Sequence, residues 1–585
     1  MNLGAIIHRT ESEMAYLCDD HTAQIRLKTE KNDIYTVAII AGDPYSLRSR
    51  PDLVPFYQQP QPMKKIMSDA VYDYWQITVT SDKSRLGYAF IITDQNQQQI
   101  ILTDKGFIAA DDQSMLEDMN TYFRMPFFQV IDRFKGIDWV SKTIWYQIFP
   151  ERFANGDTTN DPKGTKPWDA IVNPKWDDYY GGDLQGVLDH LDHLVDLGVN
   201  GIYFNPVFKA PSNHKYDTEN YYEIDPDFGD KELFKQVVNA AHTRGIKIML
   251  DAVFNHIGDK SPIWQDVIKN GASSKYADWF HVHDFPVHYT PTDNFEFAVD
   301  ANYDTFDYTP HMPKLNTANR QVQDYLLNIA KYWVTEFDID AWRLDVANEI
   351  DHHFWRRFHD ELQQIKPDFY ILGEIWHNSQ AWLNGDEFTG VMNYTYTGAI
   401  IDHFINHHLN QTALLETLSS QLMLYRDATN AMMFNALDSH DTPRIKTLSH
   451  DNMDLVKQMF AFTFMQPGVP SIYYGTEYGM TGENDPDNRK PMVWETQLQD
   501  QDMYQTMQQL IIFRKQFATI FAKGSLEFGT ENGMLWIQRD DIVGYFNTSQ
   551  HQQKLDVTTD EVLLSNNFID GTLLTDGFVI CRQTI

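Results

Sequence analysis

Between Ile144 and Tyr473, short apolar runs alternate with amphipathic stretches of helix length, and this rhythm restricts the fold more than any other feature of the chain. Strands are predicted at 144–149, 201–204, 247–251, 339–345, 369–374, 390–392, 431–437 and 469–473. The segments between them include DLQGVLDHLDHLVDLG, KELFKQVVNAAHTRG and NRQVQDYLLNIAKYWVTEF. Their apolar residues recur at three- and four-residue steps, and the first two end at glycine. Eight strands with interleaved helices predict a closed (β/α)8 TIM barrel.

The 585 residues exceed what one hydrophobic core accommodates, and both ends read differently from the middle. Up to Arg124 the pattern is one of alternating runs such as YTVAII and YWQITVT separated by turn clusters; after Ala522 a similar pattern returns in GMLWIQR and IVGYFNT. The segment after Asn255 is too long for an ordinary βα loop and is rich in aromatics, prolines and aspartates. The predicted protein is therefore α/β, with a barrel over 125–521 that carries an inserted domain at about 256–315 after the third strand. A β-sandwich at 1–124 precedes the barrel, and a second at 522–585 follows it.

The formal charge of −35, from 47 basic and 82 acidic residues, disfavours nucleic acid and anionic membrane surfaces and suits a neutral ligand, although solubility alone explains it equally well. Cys18 and Cys581 form no metal-ligand spacing or disulfide framework. The start, MNLGAIIHRT, lacks the charged and apolar segments of a leader, and no run reaches the roughly 18 apolar residues of a membrane span. A soluble, cytoplasmic protein is the expectation.

Three strand ends carry acids: AWRLDVANE with Asp345, ILGEIWH with Glu374 and ALDSHDTPR with Asp441. In a barrel such ends converge on one mouth, so distant residues share a site. A reaction through a sugar cation needs one carboxylate at the anomeric carbon, one acid for the leaving oxygen and polar groups that grip the flattening ring. Arg343 lies two residues before Asp345, on the same strand face, where it holds that carboxylate ionised; Asp345 is assigned as nucleophile. The apolar neighbours of Glu374 predict a desolvated, protonated carboxyl, suited to acid/base work. Trp376 is read either as a sugar platform or as a core tryptophan. His440 and Asp441 are placed to bind adjacent sugar hydroxyls, with His256 doing similar work after strand three and Asp251 bracing it. Tyr216, in NHKYDT, is expected to stack under the sugar. Asn155, Asp157, Asn160 and Asp161, with Asp183 nearby, offer oxygens to a hard cation such as calcium, or else form Asx-turns.

DAVFNH, AWRLDVANE, GEIWH and LDSHDT resemble, in order, the four strand-end motifs of the α-amylase superfamily of glycoside hydrolases. VANE, and MPKLN at 312–316, are similar to its cyclomaltodextrinase, maltogenic amylase and neopullulanase group. The resemblance implies retaining, endo-type hydrolysis of α-1,4 bonds in cyclodextrins, pullulan, starch fragments and maltooligosaccharides, with some transglycosylation. It makes Asp345 the nucleophile, Glu374 the acid/base and Asp441 the transition-state stabiliser. It also implies a calcium loop at Asn155, Asp157, Asn160, Asp161, Gly181 and Asp183, no organic cofactor, and a homodimer through the N-terminal module. One departure is Ala341, where glycine is frequent in the group. Two rival readings are an exo-acting α-glucosidase of the same superfamily and a non-catalytic carbohydrate-binding protein on the same fold.

Overall fold

The computed structural model describes residues 1–47, 54–133, 135–292, 297–555 and 561–583. The inserted and C-terminal segments expected from sequence therefore lie partly outside the described residues. Two compact units emerge: Met1–Gly136 with Asn406–Asn430, and Ile137–Ile405 with Ala431–Ile585.

The second unit is built on eight parallel strands: β1 (Trp145–Ile148), β2 (Gly201–Phe204), β3 (Lys247–Ala252), β4 (Ala341–Leu344), β5 (Tyr370–Gly373), β6 (Gly390–Val391), β7 (Phe434–Ala436) and β8 (Val469–Tyr473). Their order is β6-β5-β4-β3-β2-β1-β8-β7, and a parallel bridge from Met392 to Phe434 closes β6 on β7. Seven of the strands fall inside their predicted runs, and β3 extends one residue past its run, to Ala252. Each is buried on both faces, which is why the runs are continuously apolar rather than alternating. Trp145 on β1 stacks over Tyr370 on β5 across the interior, with ring centroids 6.1 Å apart; removing a ring of this kind from a core costs about 3–5 kcal/mol.

The helix Arg320–Phe337 before β4 shows how sequence sets an element. Asn319 caps it by accepting from the Gln321 amide, and Asp338 ends it in the left-handed region. Leu326, Ala330, Trp333 and Phe337 fall on its buried face. The predicted helix 183–198 is instead two, Leu184–Asp189 and Leu191–Leu197. His190 separates them: its ring nitrogen bonds the Gly186 carbonyl at 2.8 Å and competes with the helical ladder.

The insertion after β3 holds the helix Pro262–Asn270 and the short ribbon Thr290–Pro291 with Ala298–Val299. It packs on Trp264, whose ring lies 4.6 Å from Phe280 and 4.8 Å from Tyr303. The C-terminal part is a six-stranded β-sheet domain fixed to the barrel by the Gln458 amide, which donates to the carbonyls of Asn547 and Gly577. In the other unit, four- and six-stranded sheets enclose Ile25, Leu27, Val37, Ile39, Trp75 and Phe90. Phe123–Arg124 is its last strand, and the unit continues to Gly136.

Candidate active site

Backbone bonds carry two of the acids just beyond the strand ends. The Asp345 amide donates to the Ala252 carbonyl and the Glu374 amide to that of Leu344, both at 3.0 Å, continuing the β3–β4–β5 ladder to the barrel mouth. Asp441 stands five residues beyond the end of β7. Between them lies Arg343, wholly buried. Its Nη1 donates to Asp345 Oδ1 at 2.8 Å and to both Asp251 oxygens at 3.0 Å. Its Nη2 stands 2.9 Å from Glu374 Oε2 and 3.9 Å from Asp441 Oδ2. The chain thus brings Asp251, Asp345, Glu374 and Asp441 around a single guanidinium.

Glu374 is gripped from two further sides, by the Val346 amide on Oε2 at 3.0 Å and by Trp376 Nε1 on Oε1 at 3.1 Å. Val346 adopts φ +47°, a left-handed conformation costly for a β-branched residue, and this turn brings the backbone after Asp345 within reach of Glu374. The single charge of Arg343 does not neutralise the three buried carboxylates Asp251, Asp345 and Glu374 and the partly exposed Asp441. Burial raises the Asp345 carboxyl well above its ordinary value against the pull of Arg343, and the Glu374 charge adds to the rise. Burial and then the Glu374 charge push Asp441 up to about 7. The Asp345 and Asp441 carboxyls thus hold a proton more readily than free aspartates do.

A polar layer supports this cluster. Tyr216 donates to Asp251 Oδ2 at 3.0 Å and meets His440 Nε2 at 2.6 Å, and its ring lies parallel to that of His440 with centroids 5.6 Å apart. The hydroxyl edge of Tyr216 is thus taken up by histidine. Tyr203 bonds Asp251 Oδ2 at 2.7 Å. Trp376 is 52% exposed, which removes the core reading; Tyr394 stacks on one face at 3.6 Å. His256 is placed differently, buried against Phe306 with no bond to any of the four acids. Its Nε2 finds no partner.

Sequence reasoning missed Gln147, Asn205, Tyr394, Asp485 and Arg489. Arg489 Nη2 lies 3.5 Å from Asp441 Oδ1 and 2.8 Å from Asp485 Oδ2. The available signal for Gln147 was a polar residue inside the apolar run WYQIF.

Two family models match the chain, the alpha amylase catalytic domain at residues 147–555 and the alpha amylase N-terminal ig-like domain at 1–129. The chain belongs to the alpha-amylase family. Among relatives of this alpha-amylase family chain, the intracellular maltogenic amylase of Bacillus subtilis is 48% identical over 528 residues, covering 90% of this chain and 87% of its own. A cyclomaltodextrinase of Geobacillus thermopakistaniensis is 46% identical over 528 residues, with 90% and 87% covered. A solved cyclomaltodextrinase structure superposes with a TM-score of 0.88 at 39% identity, covering 100% of this chain and 98% of that one. The protein is a glycoside hydrolase for starch-like substrates, in the group that holds maltogenic amylases and cyclomaltodextrinases.

The resemblance to this family also implied a calcium loop. Asp183 caps the helix Leu184–Asp189 and accepts from the amides of Gly156 and Asp157 at 3.0 and 2.9 Å and from Asn160 Nδ2 at 3.2 Å. Asn155 Nδ2 donates to Asp161 Oδ1 at 2.8 Å. Gly181, at φ +79°, leaves a space in which a Cβ would fall 2.2 Å from Asp161 Oδ1. The Oδ1 atoms of Asn155 and Asn160 are buried without partners, so the loop carries two orphaned oxygens of the kind a hard cation takes. Asp157 instead bonds Thr159 in a local turn, and among the described residues no three His, Cys, Asp or Glu side chains converge as a metal-binding set. The donor set therefore leans on amide oxygens.

Proposed function

We propose that the protein cleaves α-1,4-glucosidic bonds in cyclodextrins, pullulan, starch fragments and maltooligosaccharides by double displacement with retention. The observation that carries this reading is the guanidinium of Arg343, shared between Asp345 and Glu374. Two carboxyls held on one planar group can serve one anomeric carbon, for which double displacement requires about 5–5.5 Å between them. Asp345 attacks the anomeric carbon while Glu374 gives its proton to the leaving oxygen. Glu374 then takes a proton from water, or from a sugar hydroxyl in transglycosylation, and the second displacement frees Asp345. Asp441 and His440 grip the ring as it flattens, and the open face of Trp376 receives a neighbouring sugar.

When bound, calcium would supply loop rigidity, held by Asn155, Asn160 and Asp161 with Asp183 behind them. A cytoplasmic location fits the intracellular relative, and no described helix is long and apolar enough to cross a membrane. A homodimer through the N-terminal module belongs to the same reading.

Incubation with β-cyclodextrin tests it, because a ring offers no chain end to an exo-enzyme. Ring opening followed by maltose release is expected, with turnover lost in Asp345→Asn. An inert ring and activity only at chain ends would favour the exo-acting alternative; an active Asp345→Asn enzyme would remove the nucleophile assignment.

A further inference from the structure

We infer that Gln147 fixes His440 in the neutral tautomer with its hydrogen on Nε2, so that on its Tyr216 and Asp441 side His440 acts as a donor and never as an acceptor. Gln147 is the third residue of β1, 1% exposed, and His440 is wholly buried. Gln147 Nε2 lies 2.7 Å from His440 Nδ1 and 3.0 Å from Asn205 Oδ1. Asn205 Nδ2 lies 3.0 Å from the Tyr216 hydroxyl, which also meets His440 Nε2 at 2.6 Å and Asp251 Oδ2 at 3.0 Å.

Counting hydrogens around this ring of contacts leaves one consistent assignment. Tyr216 has a single hydroxyl hydrogen, and Asp251, whose two oxygens already accept from Arg343 and one of them from Tyr203, only accepts. That hydrogen therefore goes to Asp251, and the Tyr216 oxygen accepts from Asn205 and from His440. His440 must then carry its hydrogen on Nε2, which leaves Nδ1 bare to accept from the Gln147 amide. The second Gln147 hydrogen goes to Asn205 Oδ1, and every contact is satisfied.

Turning both amides over breaks the scheme. Gln147 would then accept from His440 Nδ1, and the bare Nε2, Asn205 Oδ1 and Asp251 would all claim the one hydrogen of Tyr216. A charged His440 would set its Nδ1 hydrogen against the Gln147 amide donors. Arg489, Arg343 and His214 add to burial in opposing that charge, while Asp441 Oδ1, 3.2 Å from Nε2, favours a hydrogen there. Gln147 is thus a positioning residue, acting on substrate only through His440.

The test is ¹⁵N NMR of protein carrying labelled histidine, with the His440 signals identified by their loss in His440→Asn. A protonated Nε2 and a bare Nδ1 near neutral pH are expected; a hydrogen on Nδ1, or an imidazolium, would overturn the inference. Gln147→Glu supplies a second readout, since its carboxylate accepts where the amide donated. His440 is then expected to gain a hydrogen on Nδ1, and kcat on β-cyclodextrin to fall by up to about tenfold, the worth of one lost hydrogen bond, with a smaller change in KM. Wild-type tautomer and kcat in Gln147→Glu would also overturn it. The kinetic half rests on the proposed role of His440 and the spectroscopic half does not, so the two can fail separately.

Discussion

Arg343 stands at the centre of the site because it is the only cation in direct contact with Asp251, Asp345 and Glu374 among the described ion pairs. Crowding acids around it serves chemistry and costs stability. Asp441 illustrates the exchange: its carboxyl is raised from an ordinary value near 4 to about 7, so the folded protein binds a proton that the unfolded chain releases. The associated stability is fully present below about pH 4 and is lost as pH rises through about 7. Asp441→Asn is therefore expected to melt several degrees above the parent at pH 8 and to converge with it near pH 4, while losing activity; scanning calorimetry at both values checks this. The acids themselves were legible in sequence because each sits in a polar break at the end of an apolar run. Gln147 was not, since one polar residue within a strand does not reveal which way it faces or what it meets. Arg489 and Asp485 lie on an aperiodic loop after β8, where pattern gives no direction.

At the scale of the element, the opposite end of the barrel carries stability rather than chemistry. Asp340, just before β4, accepts from His242 at 2.7 Å, Lys247 at 2.9 Å, and the Ile248 amide and Lys366 at 3.0 Å. Burial alone would raise its carboxyl, but the His242 bond and the two lysines hold it well below the usual carboxylate range. The stability it contributes is present above about pH 4 and disappears as pH falls through the acid range. Asp340→Asn should cost about 3 kcal/mol in denaturant unfolding at neutral pH and flatten the acid limb of the stability profile, with kcat unchanged. Strand positions were readable because a parallel strand buried on both faces leaves an unbroken apolar run. The break at His190 was not, because a histidine bonding back to a helical carbonyl is invisible to periodicity.

Over the whole molecule, sequence pattern identifies modules better than it bounds them. Asn406–Asn430, read along the chain as part of the barrel's helical rhythm, belongs to the compact unit of the N-terminal sheets, where Arg26 donates to the Tyr425 carbonyl and pairs with Asp427. An amphipathic pattern shows that a face is buried, not against what. The calcium reading concerns the molecule as a whole too: chelation should lower the melting temperature by several degrees, and Asn160→Ala should remove that response while leaving product identity unchanged. Central to the account is the claim that Asp345 and Glu374 perform two successive displacements at one anomeric carbon. Proton NMR of the first sugar released from β-cyclodextrin, recorded before mutarotation, tests this most directly: the α-anomer is predicted, and an initial β-anomer would contradict it.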